Sequence, residues 1–168
     1  RESAIPVDIG GVRTNFRMPD LISIGLGGGS IIRENNNQVS VGPDSVGFKL
    51  DKESLIFGGK TITTSDITVA SGDAEFGDKG KVQHLSNDLI TKSQNKIKNM
   101  IEEGIDRVKL NKDDVPVILV GGGSILVNGK LKGASDVLIP DHSDVANAIG
   151  ASLAQAGGEI DKIYSYSE

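Results

Sequence analysis

The stretch from Ser86 to Ser124 constrains this chain more than any other part of it. Ile97, Ile101, Ile105 and Val108 recur at three- and four-residue spacing, which places them on one face of a helix. Ser86 is a good N-cap, so the spacing predicts a helix from there to about Val108. Lys92, Lys96, Asn99, Glu103 and Arg107 fall away from the stripe, with Glu103 and Arg107 placed as an i,i+4 pair. Then comes Val115-Pro-Val-Ile-Leu-Val120, an unbroken apolar run. Such runs are typical of strands buried on both faces, as in parallel sheets. A helix feeding a buried strand is the pattern of α/β proteins.

That strand leads into Gly121-Gly122-Gly123-Ser124. A loop without side chains lets a flat or charged ligand meet the backbone, since any Cβ would stand in the way. The same residues would also serve a tight strand exit with no ligand. Further on, Asp136 to Ile139 reads as a short strand. Pro140 and Ser143 introduce a helix through Ala156, stopped by Gly157-Gly158. Its Ala146, Ala148, Gly150, Ala151 and Ala154 suit very close packing against a neighbour, and Ile160 to Tyr166 is expected to be a closing strand.

The first half is less regular. Ile5 to Phe16 suggests an extended segment interrupted at Gly10-Gly11, and Leu21 to Leu26 a short apolar strand entering Gly27-Gly28-Gly29. Ile31-Ile32 and Gln38-Val39-Ser40-Val41 flank Glu34-Asn35-Asn36-Asn37, which has hairpin-turn chemistry. Gly42-Pro43-Asp44 is expected to break the strand. Residues 45–85 are expected to form a long excursion with short elements, and 71–81 a mobile loop.

Composition removes several function classes. There are no cysteines, which excludes disulfides, thiol nucleophiles and Cys-ligated zinc and is compatible with a cytoplasmic setting. No Lys/Arg stripe is present and the net charge is −5, so nucleic acid is not an expected partner. No apolar run approaches the roughly 20 residues needed to cross a bilayer, and no signal peptide opens the chain. Glycine is abundant, at 22 residues, beside four Phe, two Tyr and no Trp. The core is therefore expected to be aliphatic, with several close backbone approaches. The 168 residues are expected to form one domain. The chain opens on Arg1 within apparent structure, so it reads as the C-terminal part of a longer polypeptide.

Two phosphate motifs fail. A dinucleotide fingerprint needs Gly-x-Gly-x-x-Gly opening a helix, but the third position is Ser30 counting from Gly25 and Leu126 counting from Gly121. Gly59-Lys60-Thr61 resembles the end of a P-loop, but position 54 is Ser and no strong strand precedes it. His142, between Asp141 and Asp144, hints at a metal cluster. Adjacent residues rarely converge on one ion, however, and Ser143 and Asp144 suit capping, so no metal site is expected; His84 is expected at the surface.

What fits is the adenosine motif of the sugar kinase, chaperone ATPase and actin superfamily. Ile118-Leu-Val-Gly-Gly-Gly-Ser124 followed by Asp144-Val-Ala-Asn-Ala-Ile-Gly-Ala151 resembles it. A closer resemblance covers nearly the whole chain. Ser23-Ile-Gly-Leu-Gly-Gly-Gly-Ser-Ile31, Val41-Gly-Pro-Asp-Ser-Val-Gly47, the element with Gly58-Gly59-Lys60, Thr63 and Ser65-Asp66, Val117 to Ser124, and Val145 to Ala151 are similar, in order, to blocks of the hydantoinase A/5-oxoprolinase family.

The resemblance implies an α/β fold of actin-like, ribonuclease H-like type, a mixed sheet with flanking helices. It implies an enzyme that uses ATP to open a small cyclic amide such as a hydantoin or 5-oxoproline, or to drive a related carboxylation. ATP and Mg²⁺ would be the cofactors, and Gly121, Gly122, Gly123 and Ser124 would hold the adenine nucleoside. Gly27, Gly28, Gly29 and Ser30 would either face phosphate or substrate oxygen through backbone N–H groups or form a bend. Asp66 would either orient a substrate or cap a helix. Expected partners are the cyclic amide, the rest of the same polypeptide and a hydantoinase B-type subunit.

Two departures stand out: Phe48 to Leu55 lacks the family's cysteine- and proline-rich stretch, and Asp8-Ile-Gly-Gly-Val-Arg-Thr-Asn15 carries Val12 and Asn15 where its phosphate motif has Thr and Asp. Asp8 is therefore read as a strand-and-turn residue, the catalytic acids as lying upstream, and this piece alone as without turnover. The departures also leave open a nucleotide-responsive binding or assembly module that has lost the chemistry.

Overall fold

Asn36 and Asn37 both take positive φ, 48° and 64°. This is the signature of the type I′ turn, whose twist matches that of the strands it joins. It connects β3 (Ser30–Asn35) to antiparallel β4 (Gln38–Ser45), the hairpin expected from the polar segment between two apolar pairs. A computed structural model describes residues 7–9, 12–14 and 21–154. Ahead of the hairpin, β1 (Val7–Ile9) and β2 (Val12–Thr14) pair antiparallel, with Asp8 opposite Arg13, so Asp8 is a strand residue as expected. The residues expected to form the segment Ile160 to Tyr166, and the helix beyond 154, lie outside those described.

The architecture is mixed α/β. After the hairpin come the short α1 (Leu50–Glu53), α2 (Thr64–Ser71), the long α3 (Asn87–Val108), β5 (Val115–Ile118), β6 (Ala134–Leu138) and α4 (Ala146–Leu153). Among the described residues the strands form three two-stranded sheets, two antiparallel and one parallel. The core lies between the hairpin, α2 and α3: Ile32, Val41, Ile56, Ile67, Val69, Val82, Leu85, Leu89 and Ile97 are buried together. It is aliphatic, as the composition implies. Each such side chain contributes on the order of 1.5–3 kcal/mol by leaving water.

Residues 45–85 do consist of short elements, but they carry the centre of that core. Six consecutive residues of α2, Thr64 to Val69, are buried. A helix buried all round has no polar face, and therefore no amphipathic stripe for the sequence to show. Its polar side chains are satisfied internally: Thr68 Oγ1 donates to Thr64 O at 2.9 Å, and Thr64 Oγ1 donates to Gly27 O. Gly72 ends α2 at φ 87° with its N–H on Thr68 O and Val69 O. Within 71–81, Asp73 N donates to Thr68 O and Asp78 N to Ile56 O.

α3 follows its pattern closely. Ser86 Oγ accepts from Leu89 N at 3.2 Å, and Leu89, Ser93, Ile97 and Ile105 are buried. Val108, at the end of the expected stripe, is nearly half exposed because the helix stops there. The ion pairs along α3 are Asp88–Lys92 and Lys98–Glu102; Glu103 and Arg107 do not pair.

Four local expectations are corrected. Leu21 to Leu26 is not a strand: the backbone is irregular and Leu21, Ile22 and Ile24 are exposed. Gly42-Pro43-Asp44 does not end the strand, since β4 continues to Ser45. Pro43 is tolerated because, among the described residues, β4 pairs with β3 alone, and the register shifts between Ser30 and Ile32 on the facing strand. β5 is parallel to β6 as expected but is not buried on both faces. Ile118 is 63% exposed and its neighbour Leu138 51%, because one face of this pair has no layer over it among the described residues. Finally, α4 buries none of its residues, and a Cβ on Gly150 would meet nothing within 4 Å, so its small residues make no close packing there.

Candidate functional site at the end of β5

β5 and β6 run parallel, so the loops after them leave from the same edge. Ligands of open parallel sheets gather outside the carboxyl ends of the strands. At that edge Gly121 N donates to Ser143 O at 2.6 Å, which ties the glycine loop to the turn that opens α4. Gly121 takes φ 78°, and Gly122–Leu126 then form a 3-10 turn closed by Ser124 N on Gly121 O and Val127 N on Ser124 O. The bond from Gly121 to Ser143 links the first stretch of the expected adenosine motif, 118–124, to the residue just ahead of the second, 144–151.

The two glycine runs differ in a way the sequence does not reveal. A Cβ on Gly28 would stand 2.9 Å from Ser65 Oγ, and one on Gly29 2.9 Å from Ser45 Oγ. Their carbonyls are also engaged: Gly28 O accepts from Ser65 N at 3.0 Å and Gly29 O from Val46 N at 3.0 Å. Ser30 is buried and its Oγ accepts from Gly27 N at 2.9 Å. Gly27–Ser30 is therefore a bend seated on the first turn of α2, supplying a carbonyl to a helix N–H that has no partner within the helix. A Cβ on Gly122 or Gly123, by contrast, would meet nothing within 4 Å. A Cβ on Gly27 would likewise meet nothing within 4 Å, so packing among the described residues explains Gly28 and Gly29 of the first run and neither Gly122 nor Gly123 of the second.

Beside Gly123 and Ser124 is an apolar cleft of about 270 Å³. Its walls include Ile24, Leu26, Ile101, Leu119 and Val127. Sequence reasoning assigned Ile101 only to the helix stripe and Ile24 and Leu26 to a strand. Their signal was hydrophobicity alone, which does not separate a cleft wall from a core.

Asp66 is placed by packing. Oδ1 accepts from Ser54 Oγ at 2.8 Å and Ile56 N at 2.8 Å; Oδ2 accepts from Thr63 N at 2.7 Å and Thr63 Oγ1 at 2.8 Å. It is fully buried at the third position of α2, in a capping-box arrangement with Thr63. Four donors on two oxygens use the acceptor capacity that a ligand would need. His142 is exposed at φ 60°, His84 is exposed, and among the described residues no three His, Asp or Glu side chains converge on a metal position.

The family model described as Hydantoinase/oxoprolinase matches residues 2–75. This part of the chain is similar to that family, and the blocks at 23–31, 41–47 and 58–66 all lie inside the match. The names the family carries are those of cyclic amide hydrolases. No curated protein and no solved structure matches the chain. No helix among the described residues is long and apolar enough to cross a membrane.

Proposed function

We propose that this chain is part of an ATP-dependent hydrolase that opens a small cyclic amide of the hydantoin or 5-oxoproline type, and that its share of the work is to hold the nucleotide. The family match supports the reaction class. The observation that carries the nucleotide role is the open space over Gly122 and Gly123 at the carboxyl end of a parallel strand. Those backbones can be approached by a flat ring, and the apolar cleft beside them offers aliphatic walls for an adenine. The hydrogen bond from Gly121 to Ser143 supports the same reading, since it ties the first adenosine-like stretch to the residue just ahead of the second.

ATP would phosphorylate the inert amide oxygen and so make the carbonyl open to attack by water. Mg²⁺ and acidic side chains would stabilise the charge on the transferring phosphoryl group. Those acids are assigned to the rest of the same polypeptide, because Asp66 is consumed by the capping of α2. A hydantoinase B-type subunit is the proposed partner and the cytoplasm the proposed setting.

The test has two stages. Titration of the chain with MgATP should show saturable binding that a substitution at Gly123 removes. The chain joined to its upstream half should then release ADP only when 5-oxoproline or a hydantoin is added. ADP release that requires bicarbonate would assign a carboxylase instead, and binding without any release an assembly module.

A further inference from the structure

Between α2, α3 and residues 125–131 lies a second cleft, of about 200 Å³. Its floor is aliphatic, with Ile67, Ile97, Leu126 and Leu131, and its rim carries Asp73 and Lys98. The carboxyl group of Asp73 is fixed by neutral donors: Ser71 Oγ at 2.7 Å, Gln94 Nε2 at 2.8 Å and Asn128 Nδ2. Among the described residues no cation pairs with it. Three hydrogen bonds, from α2, α3 and the segment around Asn128, engage this exposed acidic group without neutralising it. A site so arranged is prepared for a positive charge from outside.

Lys98 is the opposite pole. Among the described residues its one ion pair is long, 3.9 Å to Glu102 Oε1, and that oxygen already accepts from Lys132 N at 2.8 Å. Gln94, which grips Asp73, stands one turn before Lys98 on α3, so their Cβ atoms are about 5–6 Å apart. Asp73 and Lys98 thus both line the cleft with opposite charges, and they do not pair with each other.

We propose that this cleft binds a small aliphatic α-amino acid as its zwitterion. The ammonium group would meet Asp73, the carboxylate would meet Lys98, and the side chain would lie on the aliphatic floor. The volume is below the roughly 300 Å³ at which pockets begin to take drug-sized molecules, which suits a ligand of leucine size. The amide oxygens of Gln94 and Asn128 remain available as acceptors, because both residues donate to Asp73 through nitrogen. The cleft shares Ile101, Leu126 and Val127 with the one beside Gly123, but the proposal does not rest on the nucleotide reading.

Calorimetric titration of the 168-residue chain with L-leucine, L-isoleucine and L-valine tests this. Saturable binding is expected, at least about tenfold weaker for N-acetyl-L-leucine, which lacks the ammonium group. Asp73→Asn keeps the size of the side chain and is expected to weaken L-leucine binding by a similar factor; Lys98→Met, at a half-exposed position, is expected to do the same. Circular dichroism establishes that each variant is folded, and should Asp73→Asn unfold, Lys98→Met and the acetylated ligand decide. No saturable binding of any of the three amino acids, equal binding of the acetylated form, or indifference to the substitutions in folded protein overturns the proposal.

Discussion

Gly121 N lies 2.6 Å from Ser143 O, so a single backbone hydrogen bond joins the loop after β5 to the turn before α4. This contact lets residues 22 positions apart in sequence form one edge, and it leaves the two glycines that follow facing open space.

The first prediction concerns those glycines. Gly123→Val adds a branched side chain where a Cβ meets nothing within 4 Å. Stability should therefore change by no more than about 0.5 kcal/mol. If ATP rests on this backbone, its affinity should fall at least about tenfold, near 1.4 kcal/mol. Thermal unfolding and MgATP titration of the same variant separate the two effects. Unchanged affinity would dissociate the loop from nucleotide binding.

Gly59 should behave in the opposite way. A Cβ there would stand 2.1 Å from the carbonyl carbon and oxygen of Glu53, and backbone cannot step aside as a flexible side chain can. Gly59→Ala is expected to cost at least about 2 kcal/mol, read as a shift of the urea midpoint. A loss under about 0.5 kcal/mol would mean that the turn around Ser54 and Thr61 is not as closely held as described.

Asp66 gathers four hydrogen bonds inside the protein, from Ser54, Ile56 and Thr63. Asp66→Ala leaves buried donors without acceptors and is expected to destabilise by about 3 kcal/mol or more. Asp66→Asn replaces one acceptor oxygen by a donor that must face N–H or O–H groups, so about 2 kcal/mol is expected. Denaturant unfolding of both variants checks the order. A variant that folds normally but fails only in catalysis would return Asp66 to the substrate role.

Ser93 is a different case. It is fully buried on α3, and its Oγ has no hydrogen-bond partner among the described residues. A hydroxyl held away from water without a partner costs about 1–3 kcal/mol. Ser93→Ala removes that cost and nearly preserves volume, so the variant is expected to be as stable as the parent or up to about 1 kcal/mol more stable. A clear drop in melting temperature would show that the hydroxyl has a partner in solution.

The parts of the fold that were legible in the sequence are those whose pattern is local. Ser86 and the isoleucine spacing define α3 because a cap and a stripe are both properties of one segment, and Asn36-Asn37 defines the hairpin because the turn demands positive φ from those two residues. α2 was not legible because burial on every side erases periodicity, and its serines and threonines resemble loop composition until Gly27, Gly28 and Ser54 are placed around them. The site was legible as two glycine runs and no further. Which run is filled by its own neighbours depends on Ser45 and Ser65, residues that no local pattern links to Gly28 and Gly29.

The apolar run from Val115 to Val120 misled for a related reason, and it yields the last prediction. A continuous run implies cover on both sides, yet Ile118 and Leu138 lie side by side on the uncovered face of the β5–β6 pair. In this chain Ile118→Thr should change stability by no more than about 0.5 kcal/mol, since Thr keeps β-branching and the position loses little burial. Were the strand buried on both faces, the same change would place a hydroxyl in a core and cost at least about 1–3 kcal/mol. Chemical denaturation of the single variant and of Ile118→Thr with Leu138→Thr distinguishes the two cases. A small additive effect supports the open face, and a large cooperative one means that the face is covered.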